Sequence, residues 1–258
     1  MNEKMVFLDI DGTILNGQNQ IPPSTKYAIK KMKDQGIHVA IATGRGPTWF
    51  KHILNELDLF SYVSFNGSYV VFEGETLFSN PLDRKHLIEF EQVAKTKGEP
   101  MVFLNQNHIY ANHPNHHYIQ DCIGTMNFEH PPHHETFHHE NDVFQALLFI
   151  EQEKAQWYYE KKHFDYVRWH QNAIDVLPLG GSKAKGIEAL LRVVNIPREN
   201  TFAFGDGLND IEMLEYVGYG VAMGNAVTEA KDVAKYVTGH VEEDGLYNGL
   251  VKVGLLKE

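Results

Sequence analysis

A single cysteine, Cys122, stands among 258 residues, which excludes an intramolecular disulfide framework and any cysteine-rich zinc site. Basic residues are scarce as well: 23 Lys and Arg face 34 Asp and Glu, a formal charge of −11. A protein built to neutralise nucleic-acid phosphates needs the opposite balance, so no nucleic-acid partner is expected. No eighteen apolar residues run together, so neither a transmembrane helix nor a membrane partner is expected. The opening MNEKMVFLDIDGT has too short an apolar run for a signal peptide and meets acidic residues at once. These absences lead us to expect a soluble, reduced, cytoplasmic protein.

What is present is ordinary in amount and uneven in placement. At 43% hydrophobic and 22% charged the chain is globular rather than disordered, with length for one large domain or two small ones. Met5 to Leu8 and Ile37 to Ala42 are continuous apolar runs, the pattern of strands buried on both faces of a parallel sheet. Between them Ser24 can cap a helix carrying Ala28, Ile29 and Met32 that stops at Gly36. Pro47 opens a second helix, with Phe50, Ile53, Leu54 and Leu57 on one side. Tyr62 to Phe65 and Tyr69 to Phe72 read as strands around an Asn66-Gly67 turn. The last quarter repeats this grammar: helix at Ile187 to Val194, strand at Thr201 to Phe204, helix at Ile211 to Leu214, strand at Val221 to Met223, helix through Val227, Ala230 and Ala234. Alternation of this kind indicates right-handed βαβ units on one parallel sheet, an α/β protein with a Rossmann-like core.

The segment from 82 to 181 differs. It holds twelve of the fifteen histidines, nine of them between His108 and His139. Its strand candidates (Met101–Leu104, Ala146–Ile150, Tyr166–Trp169, Ala173–Leu177) are separated by polar, His/Pro-rich stretches and helices. A block of changed composition between two α/β blocks of one kind reads as an inserted α+β domain, with 1–81 and 182–258 forming the core.

Functional groups in open parallel sheets gather at the carboxyl ends of strands. Three apolar runs end in polar clusters: Asp9-Ile10-Asp11-Gly12-Thr13, Thr43-Gly44-Arg45, and Gly205-Asp206-Gly207-Leu208-Asn209-Asp210. On one sheet and in one direction they converge on a single crevice. Asp9 and Asp11, two apart in an extended chain, would point to one side with α-carbons about 6.5–7 Å apart. Asp206 and Asp210 bring two more carboxylates, and four together repel one another unless a cation is bound. Hard oxygen ligands without sulfur favour Mg²⁺, which takes carboxylates, waters and a substrate phosphate together. Thr43 can offer its hydroxyl, the Gly44 amide at a helix start suits an anion, and Lys183 or Lys185 can complete a phosphate clamp. These parts describe metal-assisted phosphoryl transfer with an aspartate nucleophile.

The DxDGT of Asp9 to Thr13, the ATGR of Ala42 to Arg45, Asn66-Gly67, Lys183 and the GDGxND of Gly205 to Asp210 resemble the haloacid dehalogenase superfamily, and within it the Cof-type hydrolases. The resemblance covers the whole chain in order and spacing, and implies a large α+β (C2-type) cap inserted between the second and third motifs. It makes Asp9 the nucleophile that forms an aspartyl-phosphate and also ligates Mg²⁺. Asp11 becomes the general acid for the leaving alcohol and then the base for water, its backbone carbonyl touching the metal. Thr43, Gly44 and Lys183 hold the phosphoryl oxygens, Asn209 lies near the phosphate, and Asp206 is the remaining metal carboxylate with Asp210 beside it. Lys183 is preferred to Lys185 because counting back from Ile196-Pro197 gives the usual helix length of the family. An acid at position 11 supplies a base for water and so favours hydrolysis.

The leading expectation is a Mg²⁺-dependent phosphatase acting on small phosphorylated metabolites. Oligomeric state stays open, a monomer being compatible with the sequence, and no cap residue is assigned to substrate recognition. Two other readings stand beside it. One is an intramolecular phosphotransferase resembling phosphomannomutases, which would move phosphate to a second hydroxyl. The other is a metal-binding or regulatory protein working through its histidines. His113 with His117 and His134 with His138 have i, i+4 spacing that suits zinc on a helix, but Pro114, Pro131 and Pro132 oppose helix there. These histidines are therefore read as solvent-facing. The Trp157-Tyr158-Tyr159, Tyr166 and Trp169 aromatics are read as core of the inserted domain.

Overall fold

The computed structural model describes residues 3–257. The chain runs through β1 (Met5–Leu8), α1 (Pro23–Asp34), β2 (His38–Ala42), α2 (Pro47–Leu57), β3 (Tyr62–Ser64), β4 (Tyr69–Phe72) and β5 (Glu75–Ser79). It continues with α3 (Arg84–Thr96), β6 (Met101–Leu104), β7 (Ile109–Ala111), α4 (His117–Gly124), α5 (Phe137–Glu140), β8 (Gln145–Phe149), α6 (Gln156–Tyr159), β9 (Phe164–His170) and β10 (Ala173–Pro178). It closes with α7 (Lys183–Val194), β11 (Thr201–Gly205), α8 (Ile211–Tyr216), β12 (Tyr219–Ala222), α9 (Thr228–Val233), β13 (Tyr236–Val237) and α10 (Gly245–Lys252). Two compact units result. One comprises the chain up to Arg45, Phe50–Ser79 and the chain from Ser182 onward; the other comprises Gly46–Trp49 and Asn80–Gly181.

The first unit is built on an eight-stranded sheet in the order β13-β12-β11-β1-β2-β3-β4-β5. Strands β13, β12, β11, β1, β2 and β3 run parallel, and β4 and β5 are added antiparallel at one edge. Alternate residues of the central strands feed opposite faces, the period-2 consequence of an extended backbone. Val6, Leu8, Val39, Ile41, Phe202 and Phe204 pack with Ala28, Ile29, Phe50, Ile53 and Leu250 from α1, α2 and α10. Met5, Phe7, Ala40, Ala42 and Ala203 pack with Ile187, Leu190, Met213 and Ala230 from α7, α8 and α9. Burial on both faces is why these strands are unbroken apolar runs.

The second unit holds a five-stranded antiparallel sheet, β7-β6-β8-β10-β9. Met101, Phe103, Ala146, Leu148, Ile174 and Val176 line one face and meet Leu87, Phe90 and Ala94 of α3, with Tyr158 wholly buried among them. No helix among the described residues is long and apolar enough to cross a membrane.

Several local expectations are corrected. Ser24 does not cap α1: the cap position is Pro22, and Ser24 sits inside the first turn. Strand β3 stops at Ser64, because Phe65 and Asn66 adopt left-handed φ of 51° and 50°. Val227 and Ala234 flank α9 rather than belonging to it. His138 is not solvent-facing but wholly buried, its ring stacked on Phe103 with centroids 4.1 Å apart.

Candidate active site

Strand register brings the polar clusters together. β1 lies between β2 and β11, with Leu8 opposite Ile41 on one side and Phe204 on the other. The Asp9 amide then donates to the Phe204 carbonyl at 3.0 Å, carrying the pairing one residue past the strand. The chains that leave β1, β2 and β11 at Asp9, Thr43 and Asp206 therefore start from adjacent strand ends.

After Asp9 the backbone does not stay extended, as the sequence reading assumed. The amides of Ile14 and Leu15 donate to the Ile10 carbonyl at 3.0 and 2.8 Å, and Ile10 is wholly buried. The coil sends the two acids to different partners. Asp9 is 6% exposed, whereas the half-exposed Asp11 is forked by Arg45, whose Nε and Nη2 donate to its two oxygens at 2.9 and 2.5 Å. A fork of this kind fixes the plane of the carboxyl group.

At the centre lies Lys183, 0% exposed, the first residue of a helix capped by Ser182. Its ammonium donates to Asp9 Oδ1 at 2.5 Å and to Asp210 Oδ1 at 2.6 Å. Lys185, two positions on, lies at the surface. Asp210 is also wholly buried, and its Oδ2 accepts the amides of Asp206 and Gly207, both at 2.9 Å. Asp206 accepts from the Thr13 hydroxyl at 3.2 Å and from the Asn225 amide at 3.3 Å. Ligand oxygens of Asp9, Asp206 and Asp210 all lie within 4.8 Å of one another.

Electrostatics follow from this packing. Burial pushes the Asp9 carboxyl well above its ordinary range, opposed by the Lys183 ammonium, while Asp210 and Asp11 push the same way as burial. Burial, then Asp210, pushes Asp206 up to about 6. For Lys183 burial alone would pull the pKa down, but Asp210 and Asp9 outweigh it and keep the ammonium charged. With all three acids ionised, three carboxylates against one ammonium would carry two net negative charges, which a divalent cation would balance. Every donor in the set is a hard carboxylate oxygen, so the residues fit a hard cation. Asp11's carboxylate stands outside this three-residue group.

The remaining expected residues lie around the centre. Thr43 is buried, and its hydroxyl accepts the Arg45 amide at 3.1 Å. Gly44 is not at a helix start as expected, since α2 begins only at Pro47. A Cβ at Gly44 would crowd the Asn66 side chain. Asn209 donates to Asn66 Oδ1 at 3.2 Å. Asn66 therefore joins the Gly44 and Asn209 loops, and its left-handed backbone serves that position. Gly67, with φ of 93°, is required because a Cβ would run into the Ser182 carbonyl at the head of α7.

A profile of haloacid dehalogenase-like hydrolases matches residues 6–250. The chain is a haloacid dehalogenase-like hydrolase. The Bacillus subtilis (strain 168) protein named "Putative phosphatase YkrA" is 42% identical over 257 residues, covering 100% of both chains. A hypothetical protein from Geobacillus kaustophilus HTA426 has a solved structure that superposes with a TM-score of 0.95 at 44% identity, covering 99% of this chain and 100% of that one. The 5-amino-6-(5-phospho-D-ribitylamino)uracil phosphatase YitU of Bacillus subtilis (strain 168) is 30% identical over 258 residues, covering 94% of each. The hydrolase fold is thus an α/β Rossmann-like parallel-sheet core with an α+β insertion.

Sequence reasoning missed three residues of this neighbourhood: Arg45 as the partner of Asp11, Asn66 as the link between loops, and Asn225 beside Asp206. The histidine segment forms no metal cluster among the described residues. His130 Nδ1 lies 2.7 Å from the Pro131 carbonyl while its Nε2 accepts the His116 amide at 3.3 Å, and His116 Nδ1 accepts the Tyr118 amide at 3.2 Å. These imidazoles spend their lone pairs on the backbone rather than on a metal.

Proposed function

We propose that this hydrolase is a Mg²⁺-dependent phosphatase of small phosphorylated metabolites that carries the phosphoryl group on Asp9. The observation that carries the reading is the buried ammonium of Lys183 joined to Asp9 and Asp210 at 2.5 and 2.6 Å within a three-carboxylate cluster. The names of YkrA and YitU support it, YitU's being that of a phosphatase of a small phosphorylated compound.

Mg²⁺ held by Asp9, Asp206, Asp210 and the Asp11 carbonyl would supply charge neutralisation for the carboxylates and the phosphoryl oxygens. The rest is work for the chain. Lys183, the Thr43 hydroxyl, the Gly44 amide and Asn209 hold the phosphoryl oxygens. A carboxylate oxygen of Asp9 attacks phosphorus as the bond to the leaving oxygen breaks, and Asp11 gives that oxygen a proton. Asp11, now a carboxylate, takes a proton from water, whose oxygen attacks the same phosphorus. The Asp9–phosphorus bond then breaks, releasing inorganic phosphate and restoring the Asp9 carboxylate.

A panel of phosphorylated sugars, nucleotides and cofactors, with p-nitrophenyl phosphate as reference, is to be assayed for phosphate release with Mg²⁺. Asp9→Asn should abolish release while leaving the fold intact. Retained activity in that variant contradicts the mechanism, and phosphate moved to a second hydroxyl with little released points to a phosphotransferase instead.

A further inference from the structure

Asp206 is held from both sides. Its Oδ1 accepts from Thr13, a wholly buried hydroxyl, at 3.2 Å. Its Oδ2 accepts from Asn225 Nδ2 at 3.3 Å. Asn225 is anchored in turn: its Oδ1 accepts the Val241 amide at 3.0 Å, and its Nδ2 also donates to the Gly12 carbonyl at 2.8 Å. An oxygen committed to a backbone N–H can face only one way, so the amide's two hydrogens must point toward Gly12 and Asp206. The loop carrying Asn225 is itself braced against the strand-end loop of Asp206, with Met223 N–H on the Gly205 carbonyl at 3.0 Å and Val227 N–H on the Asp206 carbonyl at 2.9 Å. Gly12 fits closely under this arrangement, because a Cβ there would strike Asp206 Oδ2 and reach the Asn225 amide.

We infer that Asn225 is a positioning residue for the divalent cation, acting through Asp206. The inference rests on the cation reading given above. With one protein donor on each oxygen, Asp206 keeps a fixed plane and still has lone pairs to turn toward the cluster it shares with Asp9 and Asp210. Thr13 and the backbone of Gly205 and Val227 cannot replace this, since none of them reaches Oδ2. Removal of the amide frees the carboxylate to rotate about its χ angles, and the cation must then order it on binding.

The test is direct cation binding, read without turnover. Protein stripped with a chelator is titrated with Mn²⁺ and free Mn²⁺ is followed by electron paramagnetic resonance, for the wild type, Asn225→Ala and Asn225→Ser. Folding of each variant is checked by circular dichroism and thermal unfolding in chelator. A supporting hydrogen bond to a metal ligand is worth roughly 10–100-fold in metal affinity, so both variants should raise the Mn²⁺ Kd by at least ~10-fold while remaining folded. Excess Mn²⁺ should restore much of the phosphate release, which a merely structural defect would not allow. Folded variants that bind Mn²⁺ as tightly as the wild type overturn the inference and leave the cation reading standing. Failure of both variants to fold makes Asn225 a structural residue and also overturns it. A wild type that binds no Mn²⁺ overturns the cation reading itself.

Discussion

Replacement of Lys183 by methionine removes the one ammonium at the centre of the carboxylate cluster and keeps most of the side-chain volume. Lys183 and Asp210 are wholly buried and Asp9 nearly so, so water cannot solvate the acids left behind. Breaking a buried ion pair by removing one partner costs about 3–5 kcal/mol. In a chain of this size each kcal/mol shifts the melting temperature by about 2–4 °C, so Lys183→Met should melt roughly 6–20 °C lower. The comparison is Lys30→Met, which removes an exposed helical pair with Asp34 worth about 0.5 kcal/mol or less. Both are to be melted by circular dichroism in chelator at pH 8 and pH 5. The deficit of Lys183→Met should shrink at pH 5, where an orphaned carboxyl can take up a proton, since burial already pushes Asp9 and Asp206 upward. Added Mg²⁺ at pH 8 should also recover part of it. A Lys183→Met protein that melts within about 2 °C of the wild type would refute the argument that this ammonium neutralises the cluster.

Two predictions concern groups in the other unit, with opposite signs. Burial pushes Asp175 up to about 7, with the neighbouring Gln145 and Trp169 side chains pulling the other way. The folded state therefore takes up this proton before the unfolded one, and its contribution, present below about pH 4, is lost as pH rises through about 7. Asp175→Asn should lose less melting temperature than the wild type between pH 5 and pH 8, and an unchanged slope would contradict the assignment. Burial, with His139, pushes His138 down to about 4, and neither ring nitrogen has a hydrogen-bond partner among the described residues. Here the stability is present above about pH 6.5 and lost as pH falls toward 4. His138→Leu should melt higher than the wild type at pH 5, with a smaller gain at pH 8, and a loss at both would show that the imidazole is needed for packing on Phe103.

Much of the core was readable because burial on both sheet faces leaves a one-dimensional trace. Val6, Leu8, Ile41 and Phe204 face one side while Phe7, Ala40, Ala42 and Ala203 face the other, and both sets must be apolar. What left no such trace was missed. β5 is an edge strand whose residues are mostly exposed and so carries no apolar run. α10 opens on Gly245 and carries Gly249 within it, residues that read as turn signals rather than helix, and Gly249 is forced by the Phe204 ring, since a Cβ there would collide with it. The coil after Asp9 was misjudged for a different reason: alternation says nothing about where a strand stops, and it stops at Leu8. The carboxylates and Lys183 stood out because they close apolar runs or open a capped helix. Asn225 obeys the same strand-end logic, three residues past β12, yet Met223-Gly224-Asn225 carries no charge to draw notice. His138 is legible only in three dimensions, because it stands in a run of histidines and glutamates with the same lettering as its exposed neighbour His139, and only the fold buries it with its ring stacked on Phe103 of another element.

The central claim is that phosphoryl transfer passes through Asp9. The measurement closest to it is acid quench of the protein during turnover of a phosphorylated substrate with Mg²⁺, followed by borohydride reduction and peptide mass spectrometry. An acyl phosphate is reduced to the alcohol, so the account predicts homoserine at position 9 in the substrate-treated sample and aspartate in the control. Aspartate at position 9 in both samples, with homoserine at another acid or nowhere, would contradict it.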